Sequence, residues 1–171
     1  LKRSPSQYGE YESRVQAIIQ NIKENGDEAL FSYTKQFDKA DINASNVKVT
    51  DEEFEEAYKA VDPALLDVIR KALVNIESYH ELQKQNSWFK STPQGTMLGQ
   101  KVTPLEKVGV YVPGGKAVYP SSVLMNIMPA KVAGVDKIIM TTPCNAEGKV
   151  NPAVLVAAKE AGADEVYKAG G

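Results

Sequence analysis

The residues best suited to chemistry lie in one short segment, where a strand pattern runs into a tight turn and then a helix. Residues 108–115 read Val-Gly-Val-Tyr-Val-Pro-Gly-Gly, and an apolar helix pattern opens at Ser121. A short run of β-branched and aromatic residues is typical of a buried parallel strand, and the turn brings backbone N–H groups to the strand end. Because α/β proteins bind nucleotides at this point, Tyr111 could lie against a nucleotide ring or its ribose. Gly114 and Gly115 would let a phosphate approach.

Each of these residues also has an ordinary structural interpretation. Tyr111 could be a strand tyrosine in the core, and Gly114-Gly115 could simply make a turn. The chain contains neither Gly-x-Gly-x-x-Gly nor a phosphate-binding P-loop, so both standard nucleotide fingerprints are missing. Ser121 and Ser122 are predicted to cap the following helix, whose free N–H groups would also attract an anion.

The single histidine is expected to be a surface or packing residue, and the single cysteine an incidental thiol. His80 lies on a long helix pattern, where a surface or packing role is the more frequent one. Cys144 follows a predicted strand end, which suits a nucleophile, but no histidine lies in that part of the chain to activate it. A zinc site needs several converging His, Cys or carboxylate ligands. The residues themselves therefore predict no catalytic group and no metal site.

Composition and charge narrow the class of protein. The chain has 171 residues, of which 43% are hydrophobic and 25% charged, which is ordinary for a soluble globular protein. The formal net charge is −2 with no block of like charge, so neither nucleic acid nor a membrane is an expected partner. No apolar run is long enough to cross a membrane, and a single cysteine permits no internal disulfide, so a cytoplasmic location is predicted. Both ends of the chain are expected to be cut, since the first residue is Leu1 and the last ones follow a strand pattern directly.

The first hundred residues are predicted to form a helical scaffold. Apolar residues recur there at helical spacing. Thr50-Asp-Glu-Glu is a capping box, and Asp62-Pro63 supplies an N-cap followed by proline at the first helical position. In chain order, the patterns predict helices from Tyr8 to Gly26 and over residues 27–37, an edge strand over residues 46–50, and helices that begin after residues 50 and 62.

From Pro104 onward, strand and helix patterns alternate as βαβαβ. Asn151-Pro152 supplies a helix start, and Gly134 and Gly162 lie where two helices should end. Right-handed crossovers between such strands give a parallel sheet with both faces covered and all strand ends on one edge. The expected elements are strands over residues 108–112, 137–141 and 165–168, and helices over residues 122–133 and 151–161.

These patterns predict an α/β fold with two parts. Residues 1–103 are a helical N-terminal region with a small β-hairpin, whose turn is expected at Thr92-Pro-Gln-Gly. Residues 104–171 are a βαβαβ parallel-sheet unit that resembles an incomplete Rossmann-like domain. A three-stranded sheet alone would leave an open edge and uncovered helix faces, so the isolated chain is expected to self-associate or to be marginally stable.

Three segments of the chain resemble one enzyme family, the histidinol dehydrogenases. The first is the strand and turn of residues 108–115, and the others are Tyr119-Pro-Ser-Ser-Val-Leu-Met-Asn and Met128-Pro-Ala-Lys-Val-Ala-Gly-Val. A more diffuse likeness continues through the first hundred residues, including Gly26-Asp-Glu-Ala-Leu. The resemblance covers essentially the whole chain and is sharpest over residues 104–171.

The resemblance implies a zinc- and NAD-dependent homodimer that oxidises L-histidinol through L-histidinaldehyde to L-histidine in histidine biosynthesis. By position, Tyr111 matches a tyrosine that the family uses to bind NAD, and Pro113, Gly114 and Gly115 form the adjacent turn. The family's zinc ligands and its Glu-His acid-base pair correspond to a portion beyond Gly171. The resemblance therefore assigns no catalytic residue and no zinc ligand to this chain, and the chain alone is expected to be inactive.

Two other hypotheses stay open on the residues alone. The chain could be a non-catalytic nucleotide-binding or interaction module, since its His, Cys and carboxylate side chains form no recognisable constellation. It could also belong to another NAD-linked aldehyde or alcohol dehydrogenase. Only the histidinol hypothesis requires a substrate that is an imidazole-bearing amino alcohol.

Overall fold

The computed structural model describes residues 9–114 and 118–170 of the chain. The predicted helix start at Tyr8 and the candidate cofactor residue Gly115 lie outside the described residues. None of the described helices is both long enough and apolar enough to cross a membrane. The order of elements confirms the predicted α/β class. In chain order the elements are α1 Gly9–Phe37, α2 Asp51–Ala60, α3 Pro63–Glu81, β1 Trp88–Ser91, β2 Met97–Gln100, β3 Lys107–Tyr111, α4 Pro120–Ala133, β4 Lys137–Thr142, α5 Pro152–Ala161 and β5 Glu165–Lys168.

Helix boundaries in the N-terminal region follow the signals of the sequence. Thr50 caps α2 by accepting a hydrogen bond from the Glu53 N–H at 3.3 Å, and the Glu53 carboxylate accepts the Thr50 N–H at 3.1 Å. Asp62 caps α3 by accepting the Ala64 N–H at 2.8 Å. Gly26 has non-helical backbone angles (φ 57°, ψ −134°) that kink α1 at the predicted break. The capping box, the Asp62 cap and the break at Gly26 are therefore confirmed.

Strands β1 and β2 form the predicted antiparallel hairpin. The pairing begins with Trp88 opposite Gln100, and the turn closes where the Thr92 N–H donates to the Thr96 carbonyl at 2.8 Å. Every residue of both strands is exposed. Four large apolar side chains of the hairpin are more than half exposed: Trp88, Phe89, Met97 and Leu98.

Strands β3, β4 and β5 form a parallel sheet in that order, as the βαβαβ pattern predicts. The central strand is β4, whose Ile138 lies opposite Val108 of β3 and whose Met140 lies opposite Val166 of β5. Helices α4 and α5 connect successive strands and pack against each other. Because the strands run in the same direction, all of them end at one edge of the sheet.

A short segment before α2 extends the sheet beyond β5. Lys48 forms an antiparallel bridge with Tyr167. The Val49 N–H donates to the Val166 carbonyl at 2.9 Å. The predicted edge strand over residues 46–50 therefore pairs with the sheet, and it covers the β5 edge that the three-stranded unit alone would leave open.

The helices cover one face of the sheet. Ile138, Met140 and Val166 on that face are between 0% and 2% exposed and belong to the main core cluster. On the opposite face of β3 the alternate residues are exposed, with Tyr111 at 49%. Along β3, the expectation that both faces are covered is therefore wrong for the described residues. Two right-handed crossovers between successive neighbouring strands place α4 and α5 on the same side.

Helix α4 begins earlier than predicted. Its first residue is Pro120, and its N-cap residue Tyr119 makes no side-chain capping hydrogen bond. Ser121 and Ser122 lie inside the first turn, so the prediction that they cap the helix is wrong. Proline provides the start instead, because its fixed φ suits the first helical position and its missing N–H is not needed there.

The remaining helix boundaries agree with the sequence signals. Asn151 caps α5 by accepting the Ala153 N–H at 2.9 Å. Helices α4 and α5 end at Gly134 (φ 85°) and Gly162 (φ 89°). Glycine adopts this left-handed conformation without strain, so both predicted helix ends are confirmed.

Candidate cofactor site

The candidate site lies at the carboxyl edge of the parallel sheet. Each strand leads there into a short turn: Pro113-Gly114 after β3, Pro143-Cys144 after β4 and Ala169-Gly170 after β5. The Val112 N–H donates to the Thr141 carbonyl at 2.9 Å, so β3 and β4 stay paired up to this edge. The prediction that the turns share one edge is confirmed.

Pro143 packs between two glycines at this edge. A Cβ added to Gly114 would lie 2.9 Å from Cγ of Pro143, and a Cβ added to Gly170 would lie 3.0 Å from its Cδ. The first distance is shorter than real Cβ contacts and the second is tighter than most of them, so a side chain at either position would force Pro143 or its neighbours to shift. The sequence prediction includes Gly114 but not Gly170 or Pro143. A glycine or proline directly after a strand, on the predicted ligand edge, is the signal that could have identified them.

Tyr111 ends β3 on the sheet face that the described helices leave open. Its side chain is 49% exposed. A Cβ on Gly170 would come within 2.9 Å of Cε2 of Tyr111, so the ring lies directly against this glycine. The interpretation of Tyr111 as a core residue is therefore wrong. A half-exposed ring backed by glycine offers a surface on which a nucleotide ring or ribose can lie.

The turn beside Tyr111 is also accessible. Pro113 and Gly114 are exposed, whereas Gly115 lies outside the described residues. Asn126 of α4 donates a hydrogen bond to the Tyr111 carbonyl at 3.5 Å, which links the end of β3 to the following helix. The structure thus brings Tyr111, Pro113 and Gly114 together at one exposed position.

A cleft of about 470 Å³ lies nearby, between α2, α5 and the ends of β3 and β4. We refer to it as the α2–α5 cleft. Gly114 and Pro143 line it, whereas Tyr111 and Gly170 do not. The sequence prediction missed this cleft, because its walls come from segments far apart in the chain. Its apolar lining consists mainly of Ala57, Ala60, Val118, Val150, Val154 and Leu155, and its polar lining includes Glu53, Glu56, Asn145 and Lys149.

An ion pair lies beside the cleft. Nζ of Lys168, a residue only 5% exposed, is 2.7 Å from Oε1 of Glu53. The same carboxylate completes the capping box of α2. Lys149 adds a more exposed contact, 3.4 Å from Glu56 and 3.8 Å from Glu53. A buried charge is stable only when it is paired. The Lys168–Glu53 ion pair therefore links the end of β5 to the first turn of α2.

The surroundings of Cys144 and His80 do not favour a catalytic role for either residue. The Cys144 side chain is buried at 9% exposure, and burial raises the pKa of its thiol, with a smaller contribution from the Asp38 charge. A raised pKa lowers the thiolate fraction and hence the reactivity. His80 lies near the end of α3, where its Nδ1 is 2.7 Å from Oε1 of Gln83. Cys144 lies in the turn after β4 and lines the α2–α5 cleft, whereas His80 lies outside the turns that form the carboxyl edge.

Zinc has no matching set of ligands in the described residues. Within residues 9–114 and 118–170, no three His, Cys, Asp or Glu side chains are arranged to hold a metal ion. A structural or catalytic zinc ion needs three or four such ligands. The described part of the chain therefore does not fit a zinc site.

Fold and site together define the class of protein. Three parallel strands are joined by helical crossovers, and an exposed aromatic ring and a Pro-Gly turn lie at their carboxyl edge. The protein is of the α/β class, with its candidate site where such sheets bind ligands. The sequence model of the histidinol dehydrogenase family matches residues 1–171, and the chain belongs to that family.

Individual relatives agree with this assignment. Histidinol dehydrogenase from Bacillus subtilis (strain 168) is 54% identical over 172 residues, a match that covers 100% of this chain and 40% of the relative. Histidinol dehydrogenase from Heliobacterium mobile is 52% identical over 158 residues, covering 92% of this chain and 37% of the relative. The crystal structure of histidinol dehydrogenase from Elizabethkingia anophelis is similar with a TM-score of 0.87 and 35% identity, over 100% of this chain and 38% of that one. The chain thus spans about 40% of the length of its curated relatives.

Proposed function

We propose that this chain is part of a histidinol dehydrogenase that oxidises L-histidinol through L-histidinaldehyde to L-histidine. The observation that carries the proposal is the 54% identity to the Bacillus subtilis enzyme along the entire chain. Each of the two oxidation steps transfers a hydride to NAD, and water supplies the second oxygen of the carboxylate. The chain contributes the scaffold and part of the NAD platform. The chain alone is expected to be inactive, because its residues provide no catalytic pair.

The proposed NAD contacts are Tyr111, Pro113, Gly114 and Gly115. Tyr111 supplies an aromatic surface for a ring or ribose, which is supported by its 49% exposure and its contact with Gly170. Pro113 and Gly114 form the exposed turn beside it, where backbone can approach a phosphate. These residues bind and orient the cofactor, while catalysis and zinc binding belong to residues outside this chain.

Further properties of the complete enzyme remain part of the proposal. The cofactors and the homodimer follow from family membership, whereas the location, the excluded partners and the division into two parts follow from composition and sequence pattern. We propose a homodimer in the cytoplasm that uses zinc as well as NAD and has no nucleic-acid or membrane partner. We also propose the division into a helical region over residues 1–103 and a Rossmann-like half-domain over residues 104–171.

The function is tested with a chimera in which this chain replaces the matching segment of the Bacillus subtilis relative. With zinc added, the chimera is expected to form NADH from L-histidinol. The isolated 18.6 kDa chain, assayed in parallel and checked by intact mass, is expected to form none. A folded chimera that binds NAD but does not oxidise L-histidinol would contradict the proposed substrate. Turnover by the isolated chain would contradict the placement of catalysis outside it.

The role of Tyr111 is tested in the same chimera. Loss of one aromatic contact of about 0.5–1.5 kcal/mol should raise the KM for NAD roughly two- to tenfold in Tyr111→Ala. Tyr111→Phe should stay close to wild type because it keeps the ring. The control is Tyr79→Ala, which removes a tyrosine that is 62% exposed on α3. Equal KM values for NAD in Tyr111→Ala and Tyr79→Ala would show that Tyr111 does not contact the cofactor.

A further inference from the structure

The sequence contains a single Asn-Gly pair, at Asn25-Gly26. In such a pair the backbone nitrogen of the second residue reaches the side-chain amide carbon of the asparagine most easily, because glycine has no side chain to obstruct the approach. Both residues are exposed, and a Cβ added to Gly26 would meet nothing within 4 Å. Water and base therefore have free access to the pair.

The backbone at this pair departs from helical geometry. Gly26 has φ 57° and ψ −134° within α1, which runs from Gly9 to Phe37. A continuous helix opposes the backbone rotation that brings an asparagine side chain onto the next backbone nitrogen, because the hydrogen bonds between successive turns fix φ and ψ. The break at Gly26 removes part of that restraint. Asn25 is therefore less protected than an asparagine inside a regular helix.

Hydrogen bonds of the Asn25 side chain act in the opposite direction. Its amide nitrogen donates to Oδ1 of Asn21 at 2.7 Å and to the Asn21 carbonyl at 3.3 Å. Asn21 in turn donates from Nδ2 to the Tyr33 hydroxyl at 2.9 Å, on the other side of Gly26. These bonds hold the Asn25 side chain towards the preceding turn and away from the Gly26 nitrogen. Because the bonds from Asn25 are exposed to water, they restrain the side chain only modestly.

We propose that Asn25 is a site of spontaneous deamidation and that Asn21 slows the reaction. The deprotonated Gly26 nitrogen attacks Cγ of Asn25, and the new C–N bond closes a succinimide ring. The bond from Cγ to Nδ2 then breaks, and the leaving nitrogen takes up a proton in place of the one lost from Gly26 and departs as ammonia. Water opens the ring at either carbonyl and gives aspartate or isoaspartate. The net reaction consumes one water and releases one ammonia, with no oxidant and no cofactor.

The modified residue lies between two unlike halves of α1. After the break the helix is anchored in the protein, since Ala29 and Thr34 are 5% and 3% exposed. Before the break, the apolar residues Val15 and Ile19 are 52% and 47% exposed. Aspartate adds a negative charge and removes a hydrogen-bond donor, and isoaspartate also adds a methylene group to the backbone beside Gly26. Deamidation is therefore expected to change the direction in which the first half of α1 leaves the anchored half.

The reaction is measured in the complete 171-residue chain, incubated at mildly alkaline pH and mapped by peptide mass spectrometry. Asn75 is the internal reference, because it is an exposed helical asparagine that does not precede glycine. Asn21→Ala removes the residue that holds Asn25. Gln20→Ala is the matched control, since the Gln20 side chain donates to Glu24 instead, at 2.6 Å. Circular dichroism verifies that each variant is folded, and labelling with an isoaspartyl methyltransferase distinguishes isoaspartate from aspartate.

The expected result is that Asn25 of the folded wild type converts about tenfold or more faster than Asn75, and that both aspartate and isoaspartate form. Asn21→Ala should raise the rate at Asn25 several-fold, and Gln20→Ala should leave it unchanged. If Asn25 stays intact in the folded chain while the same chain unfolded in urea converts, the modification site is overturned. Equal rates in Asn21→Ala and Gln20→Ala would overturn the role of Asn21. The outcome is independent of the proposed function, since neither L-histidinol nor NAD takes part in the reaction.

Discussion

The Tyr111 ring is held by contact with a glycine rather than by burial in the core. It remains 49% exposed, although one of its edge carbons lies where a Cβ on Gly170 would come within 2.9 Å. A ring fixed on one side presents its other side to a ligand with little loss of side-chain freedom, which reduces the entropic cost of binding. We therefore expect residue 170 to affect the proposed cofactor site, although glycine has no functional group.

Gly170→Ala is expected to displace Tyr111 or Pro143, because the new Cβ would also lie 3.1 Å from the Pro143 backbone nitrogen. The affinity for NAD should fall several-fold, to about the level of Tyr111→Ala. Gly109→Ala is the control, since a Cβ there meets nothing within 4 Å. NAD titrations of the three variants in the chimera provide the measurement. An NAD affinity equal to wild type in Gly170→Ala would show that the contact with Tyr111 is not required.

Between elements, single charged pairs connect segments that are distant in the chain. The Lys168–Glu53 pair joins β5 to α2 and is largely removed from solvent, with side-chain exposures of 6% and 13%. Glu53 also caps α2, so one carboxylate serves a local and a tertiary purpose. Removal of one partner leaves the other charge without compensation in a place with little water, which is the costly case.

Lys168→Ala is expected to lower the free energy of unfolding by about 3 kcal/mol, since it leaves the largely desolvated Glu53 without its main partner. Lys149→Ala is the matched control, because the Lys149 side chain is 55% exposed and its ion pairs should contribute about 0–1 kcal/mol. Urea titration followed by circular dichroism gives both values. Equal, small losses in the two variants would show that the buried pair contributes no more than a surface pair.

The carboxylate of Glu165 also connects distant segments. It joins β5 to β4 and to the short segment of residues 46–50 that precedes α2. Lys48 and Lys137 donate to its Oε1 at 2.9 and 3.0 Å, and the Tyr167 hydroxyl donates to its Oε2 at 3.0 Å. These hydrogen bonds, with that from Lys48 first, lower the pKa of Glu165 from 4.5 to about 2. A carboxylate whose pKa is lower in the folded state stabilises the fold above its unfolded pKa, and this contribution is lost as the pH falls towards the folded pKa.

Glu165→Gln should therefore destabilise the chain by a constant amount above about pH 5. The difference from wild type should shrink as the pH falls from 4.5 towards 2, because the wild-type carboxylate becomes protonated over this window. Glu147→Gln, at an exposed position, is the control. The free energy of unfolding of the three proteins is measured across this pH range. A difference between Glu165→Gln and wild type that does not change with pH would contradict the assignment.

At the scale of the whole molecule, several apolar surfaces remain uncovered in the described residues. Trp88 and Phe89 of the hairpin are 57% and 60% exposed, and Val15 and Ile19 on the first half of α1 are 52% and 47% exposed. Large apolar side chains exposed in groups often mark a contact with another segment or chain. The chain spans about 40% of the length of its relatives, so contacts with the remaining 60% can account for these surfaces.

The isolated chain is accordingly expected to self-associate or to unfold with low cooperativity. Replacing Trp88 and Phe89 by serine should shift it towards the monomer, whereas Val68→Ser, at a residue 58% exposed on α3, should have little effect. Size-exclusion chromatography with light scattering and thermal unfolding give the measurement. A monodisperse wild-type monomer that unfolds cooperatively at high temperature would contradict this expectation.

Local signals made much of the fold predictable. The capping box at Thr50, the Asp62 and Asn151 caps and the glycines that end α4 and α5 depend on residues a few positions apart, and all of them are confirmed. The Ser121-Ser122 cap is wrong because two local signals competed, and Pro120 determined the start of α4. The resemblance identified the family correctly, since its motifs are continuous in sequence.

By itself, the sequence determined the order of elements, the parallel direction of the sheet, the edge that holds the candidate site and the family. Each of these follows from a periodicity or a motif within one stretch of chain. Only the tertiary structure decided that Tyr111 is exposed against Gly170, that Lys168 pairs with Glu53, and that α2 and α5 enclose a cleft. These contacts form between segments that are far apart in the chain. The spacing of residues within one segment does not predict which residues of another segment it will contact.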